Sequence, residues 1–169
     1  EKLSGERGWT IGKDGAHFRS TVPSPRPKRI IELDVINQLQ EQNVIVICAG
    51  GGGIPVVQKP GGTMIGVEAV IDKDHASGLL AREVKADAFL MLTDVAGVFT
   101  DWGGPDEAIL RAATPHELAS MSFPEGSMGP KVDAACDFVR ATGGFAAIGR
   151  LEDCMALVQG TKGSRISIE

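Results

Sequence analysis

The sequence predicts an α/β fold: a three-layer α/β/α sandwich around a largely parallel sheet. Three observations carry this. Helical periodicities alternate with short apolar runs along most of the chain. Two of those runs, "VIVICA" at 44–49 and "AFLMLT" at 88–93, are continuous and apolar, as strands covered on both faces are. Polar, glycine-rich loops stand between the segments, and alternation of this kind favours parallel strands joined by crossover helices.

The elements follow in chain order. Residues 1–20 are polar, glycine-rich and without a core stripe. "TVPSPRPKR" places Pro23, Pro25 and Pro27 in an extended segment. It divides the chain into a 1–24 piece and a 25–169 α/β lobe. Arg26, Lys28 and Arg29 form a small basic cluster there, read as solvated. Over 28–43, Ile31, Val35 and Leu39 recur every four residues and predict an amphipathic helix. The 44–49 strand follows, then Gly50, Gly51, Gly52 and Gly53. The Pro-Gly-Gly of "IPVVQKPGGTMIGVEAV" marks a hairpin or excursion. Ala76, Leu79, Leu80 and Val84 give a second helix, and 88–93 the second buried strand. Thr114, Pro115 and Glu117 spell a capping box. Val132, Ala135, Cys136 and Val139 share one helical face, with Pro130 at the first helical position. The strand "FAAIG", a short helix from Leu151 and a strand near "SRISI" complete the series.

The 169 residues are 43% hydrophobic and 23% charged, which suits one globular domain with a substantial core. A net charge of −5 argues against nucleic acid and membrane surfaces as partners. No apolar run reaches the length of a membrane span. Cys48, Cys136 and Cys154 are widely spaced within apolar patterns and read as reduced, buried thiols of a cytoplasmic protein. Neither they nor the histidines have metal-ligand spacing, so no protein-held metal is expected.

Four loops at expected strand–helix junctions can carry chemistry. The glycines of "AGGGGIP" would let backbone N–H groups approach an anion. They fit neither the dinucleotide fingerprint nor the Walker loop. "VIDKDHAS" and "GSMGPKV" each put a lysine, Lys73 and Lys131, in the first turn of a helix. Helix dipoles favour acids there, so each lysine is either merely solvated, at a cost of a few tenths of a kcal/mol, or faces an anion held between the two. Two such ammonium groups suit phosphoryl transfer, where charge spreads over oxygens. Asp74 can orient the lysines, help to position a metal or cap the helix. Thr93 and Asp94 can contact a nucleotide's ribose or base, or satisfy turn amides. Val98, Phe99 and Trp102 can line an adenine pocket or pack in the core. Position 131 lies off the apolar stripe, so loss of Lys131 is expected to weaken phosphate binding and leave the fold largely intact.

Taken together, "VPSPRP", "AGGGGIPV", "GVEAVIDKD", "LTDVAGV" and "EGSMGPKV" resemble carbamate kinase, of the amino-acid kinase superfamily. They occur in that family's order across most of residues 20–169. The resemblance implies reversible phosphoryl transfer between ATP and carbamate, giving ADP and carbamoyl phosphate, with Mg2+ and no covalent intermediate. It implies that Lys73 and Lys131 flank the transferred group and that Asp74 holds them. Thr93 and Asp94, with Ser127, Met128 and Gly129, would hold the nucleotide. It further implies a homodimer in the full-length form, and a part in arginine, purine or allantoin breakdown, between which the sequence does not choose. The chain resembles only the family's C-terminal half, its ATP/ADP-binding lobe, with residues 1–24 as the remnant of a protruding β subdomain. The carbamate site would then be incomplete, and the chain inactive alone. A non-catalytic ADP-binding module, or another kinase of the superfamily, is the alternative.

Overall fold

A computed structural model describes residues 10–14, 17–124 and 126–168. The remnant expected over 1–24 lies partly outside the described residues. Its described part is an antiparallel hairpin of β1 (Thr10–Asp14) and β2 (His17–Thr21), in register Thr10 to Thr21. The Pro-rich segment follows without regular structure. Arg26 there is solvated as expected, and its guanidinium also donates to Asp137 and Asp133, each at 2.8 Å.

Four strands form the main sheet: β5 (Ala88–Thr93), β9 (Phe145–Arg150), β10 (Ser164–Ile166) and β8 (Ala112–Ala113), side by side in that order. β5 runs parallel to β9 and β10 parallel to β8, while β9 and β10 are antiparallel. The sheet is thus mixed, with two of its three pairings parallel. Two small antiparallel hairpins stand apart. One joins β3 (Val56–Gln58) to β4 (Met64–Gly66) around the predicted Pro-Gly-Gly turn; the other joins β6 (Phe99–Thr100) to β7 (Ala108–Ile109).

Helices cover both faces of the sheet. α2 (Lys73–Glu83) and α4 (Met128–Thr142) lie together on one, with the four-residue α3 (Pro115–Leu118) beside α4. Phe138, Val139 and Ala135 of α4 are fully buried and pack in one cluster with Phe89 and Met91 of β5, Ala146 and Ile148 of β9, and Ile166. The Phe89 and Phe138 rings are 5.7 Å apart, a tilted pair that adds to this core. On the other face, Leu157 of α5 (Cys154–Val158) is fully buried against Gly149 and Gly163. A Cβ at Gly163 would lie 2.1 Å from the Leu157 side chain, so glycine there makes the close seat possible. Cys136 sits inside the α4 face, and burial pushes its thiol up from the ordinary value.

Several local expectations are corrected. The first helix, α1 (Leu33–Glu41), is shorter than 28–43, and its buried residue is Ile36. Ile31 and Val35 of the predicted stripe are exposed. The 44–49 run forms no ladder, and Ile45 and Ile47 are 92% and 98% exposed. A β-branched run becomes a covered strand only when neighbours supply its hydrogen bonds and cover its faces, and no described strand lies beside this one. β5 likewise is an edge strand, so Phe89 and Met91 are buried while Leu92 is 38% exposed. α4 starts two residues before Pro130, at Met128, which puts the proline third in the helix. The N–H that proline lacks would still have no intrahelical acceptor at that position.

Candidate functional site

α2 and α4 both begin at the rim of one cavity of about 850 Å³. Asp72 caps α2, its Oδ1 accepting from the Asp74 and His75 amides at 2.9 and 3.0 Å. That fixes the first turn and directs the next side chains. Asp74 is buried, an uncommon place for a carboxylate unless it is paired. Its partner is Lys131, in the first part of α4, whose Nζ donates to Asp74 Oδ2 at 2.7 Å. Both side chains are only 11% exposed. Lys73 Nζ stands 3.6 Å from the same carboxylate oxygen but is 60% exposed. One carboxylate therefore holds two ammonium groups at the cavity wall, one buried and one exposed to solvent.

The Lys131 turn is built by close packing. The Gly129 N–H donates to the Pro124 carbonyl at 3.0 Å, and a Cβ at 129 would meet that oxygen at 3.0 Å. Glycine thus lets the 121–124 segment lie against the helix start, where Met121, Phe123 and Pro124 line the cavity with Ser127 and Met128. The opposite approach comes from the end of β5. Thr93 Oγ1 donates to Asp94 Oδ1 at 3.0 Å, and both residues line the cavity. Beyond them, Phe99 and Trp102 meet edge-on with ring centroids 5.0 Å apart, and both also line it. Trp102 is 63% exposed, so a flat ligand can reach its face.

The structure brings Lys73, Asp74, Lys131, Thr93, Asp94, Ser127 and Met128 to this one cavity. Gly129 is not among its lining residues, and neither is Val98. It is a core residue, 1% exposed, whose N–H donates to the buried Ser164 Oγ at 2.7 Å. That bond anchors the loop that carries Asp94. Gly50, Gly51, Gly52 and Gly53 do not line the cavity either. Gly52 packs against the Ile71 carbonyl just before the α2 cap, with φ of +131°. A Cβ on Gly50, Gly51 or Gly53 would meet nothing within 4 Å. Sequence reasoning missed Asp101, Thr100 and the 121–124 wall as lining residues. The one usable signal for the wall was the glycine at 129.

Among the described residues, no three acidic, histidine or cysteine side chains gather to hold a metal. No described helix is long and apolar enough to cross a membrane.

Comparison with known proteins places these features in a family. The model of the amino acid kinase family matches residues 3–148. The chain is 50% identical over 168 residues to the carbamate kinase of Rhizobium meliloti, covering 98% of this chain and 52% of that protein. The Haemophilus influenzae carbamate kinase is 47% identical over 167 residues, with 99% and 54% covered. The chain thus spans about half the length of the curated relatives it matches. Among solved structures, the carbamate kinase from Giardia lamblia bound to AMP-PNP superposes with a TM-score of 0.91 at 38% identity, over 98% of this chain and 54% of that one. The buried sheet, the paired helix starts and the motifs that join them have one explanation: this chain belongs to the amino acid kinase family.

Proposed function

We propose that the protein containing this chain transfers a phosphoryl group between ATP and carbamate, giving ADP and carbamoyl phosphate, and that the cavity described above holds the nucleotide. The observation that carries this is the Lys73–Asp74–Lys131 cluster at two helix N-termini on the wall of a cavity that also presents Phe99 and Trp102. Phosphate oxygens suit the ammonium groups and helix starts, and an aromatic pair suits a purine. The likeness to carbamate kinases, one of them bound to AMP-PNP, supports the same reading.

In this reading Lys131 acts through position. Asp74 holds its ammonium in one place, so little reorganisation is needed as charge develops on the transferred group. Lys73, solvated and less tightly held by Asp74, follows the phosphoryl oxygens during transfer. Thr93, Asp94, Ser127, Met128 and Gly129 hold the nucleotide.

Mg2+ fits only as a companion of the nucleotide. Asp72 is engaged by backbone amides, Asp74 by both lysines and Asp94 by the Thr93 hydroxyl. Magnesium keeps water and phosphate ligands readily and needs one or two protein carboxylates at most, of which Asp94 is the least committed. When bound, it would neutralise phosphate charge.

The same proposal includes the homodimer that the family resemblance implies, a part in arginine, purine or allantoin breakdown, and the cytoplasmic location read from the cysteines. The free state of all three cysteines supports the last. A second reading, a non-catalytic ADP-binding module, applies to the 169-residue chain in isolation, and the uncovered 44–49 run favours it.

The test is ATP formation by the full-length protein from ADP and carbamoyl phosphate, read by luciferase, with Mg-ADP titration of the 169-residue chain alongside. Turnover is expected in the first and heat of binding in the second. No turnover by a folded full-length protein would overturn the reading.

A further inference from the structure

α2 and α4 do more than start at the same cavity; they lie against each other a turn further in. The contact is made at Gly78 and Ala134, both buried. A Cβ built on Gly78 would lie 3.1 Å from Ala134 Cβ, 3.4 Å from its carbonyl oxygen and 3.5 Å from its Cα. Gly78 sits inside α2 in ordinary helical conformation, so its backbone angles do not call for glycine. Glycine there works against the helix, since alanine is the better helix former. What it provides is the missing methyl, which lets two backbones approach.

The residue four before Gly78 on the same face of α2 is Asp74, and the residue three before Ala134 on α4 is Lys131. The close crossing and the 2.7 Å ion pair are therefore successive rungs between the same two helices. Separation at one rung is passed to the next, because a buried helix pair moves as rigid rods. We propose that Gly78 is a positioning residue: by setting the α2–α4 distance it sets where the Lys131 ammonium stands. The proposal rests on the phosphoryl-transfer reading for its effect on turnover, and on geometry alone for its effect on Lys131.

The experiment uses Gly78→Ala, Gly78→Val and Gly78→Ala/Ala134→Gly in the full-length protein. Three quantities are measured: kcat with KM for Mg-ADP, the thermal midpoint, and the rate of acetylation of Lys131 relative to Lys73 by mass spectrometry. Gly78→Ala forces a shift of a few tenths of an ångström at a contact already tight. Its kcat is expected to fall on the order of tenfold with little change in KM, as small displacements of a catalytic group do. Its midpoint should hold or rise, because alanine favours the helix. Acetylation of Lys131 should quicken as the pair loosens. The double variant removes the opposing methyl and should restore both kcat and slow acetylation, even though a second helical glycine lowers its midpoint. Gly78→Val should exaggerate the Gly78→Ala pattern, and its midpoint shows whether it folds.

Function that moves opposite to stability is a result that mere loss of packing does not produce. Unchanged kcat and unchanged Lys131 acetylation in Gly78→Ala would overturn the proposal. So would defects that Ala134→Gly fails to restore. If the folded wild type shows no turnover, the functional reading fails, while the acetylation ratio still decides the role of Gly78.

Discussion

Replacing Lys131 by methionine tests the core of the site, because its cost follows from burial. Asp74 and Lys131 are each 11% exposed and 2.7 Å apart. Removing one partner of a fully buried pair costs about 3–5 kcal/mol, because the other charge is left desolvated. Here the carboxylate keeps a little water and a second cation, Lys73, at 3.6 Å. The cost of Lys131→Met should therefore fall to about 2 kcal/mol. Methionine keeps most of the packing volume, so the loss reports the charge. The assay is urea unfolding of the wild type, Lys131→Met, Asp74→Asn and the double variant at neutral pH. In the double variant the unpaired carboxylate is gone, and most of the loss should return as a coupling energy. Mg-ADP titration of Lys131→Met supplies the second arm. One lost charge-assisted bond to phosphate is worth about 2 kcal/mol, or roughly thirtyfold in affinity. A single variant as stable as the wild type, or a double variant as unstable as the sum of the singles, would refute the reasoning.

Further outcomes follow from particular contacts. Gly52→Ala should destabilise by about 3 kcal/mol or more, since its Cβ would fall 1.9 Å from the Ile71 carbonyl oxygen at φ of +131°. Gly51→Ala, with nothing within 4 Å, should leave the thermal midpoint in place. Iodoacetamide should modify exposed Cys48 in the native protein but reach Cys136 only after unfolding, because burial both shields that thiol and raises its pKa; peptide mapping reads this directly. Thr114→Ala should cost about 1 kcal/mol at neutral pH, since the Thr114 side chain caps the Glu117 amide. Bonds from the Thr114 amide and hydroxyl hold Glu117 below its ordinary value of 4.5. Its stabilisation is full above that ordinary value and is lost as pH falls through the depressed one. The stability gap between wild type and Glu117→Gln should accordingly be constant above pH 4.5 and shrink below it.

Much of this fold is legible in the sequence because the relevant signals are local. The capping box at Thr114, the α4 stripe through Val132, Ala135, Cys136 and Val139, and the Pro-Gly-Gly hairpin each depend on neighbours along the chain. Their physics is complete within about a dozen residues. The 44–49 run and the outer side of β5 were misread because coverage is not a local property. A β-branched hexapeptide looks the same whether or not another strand lies beside it. The antiparallel β9–β10 pairing was hidden for the same reason, since alternation suggests crossovers but cannot exclude a tight return. At the site, the two lysines and Thr93–Asp94 were found through their helix-start and strand-end positions. Asp74 was expected to orient the lysines, but the burial of its contact with Lys131, 57 residues away, has no local signature. Without it, Lys131 looked like a surface cation whose loss would spare the fold, whereas its 11% exposure makes it part of the fold.

Why a lysine should occupy the positive end of a helix can now be answered from charges. Each helix N-terminus contributes about half a positive charge. α4 has no acidic residue in its first turn, and Lys131 adds a full positive charge there. α2 contributes its own half charge and Lys73, against the Asp72 cap and Asp74. The sum at the paired helix starts is about +1, in a chain whose net charge is −5. An isolated Lys131 would lose a few tenths of a kcal/mol to the dipole, but with Asp74 buried beside it the larger cost lies in leaving that carboxylate unpaired. Asp74 is therefore what allows two cations to stand together at a low-dielectric wall, and it is one carboxylate too few to neutralise them and the helix ends. A positive residue confined to one wall of a cavity, with Asp94 and Asp101 on other parts of its lining, discriminates by position. It favours a ligand whose negative charge is concentrated at one end, as in a nucleoside polyphosphate, over an anion of diffuse charge. Adding a carboxylate where it can reach Lys131 should abolish that preference more completely than removing Lys73, because Lys73 is 60% exposed and already shares its charge with solvent.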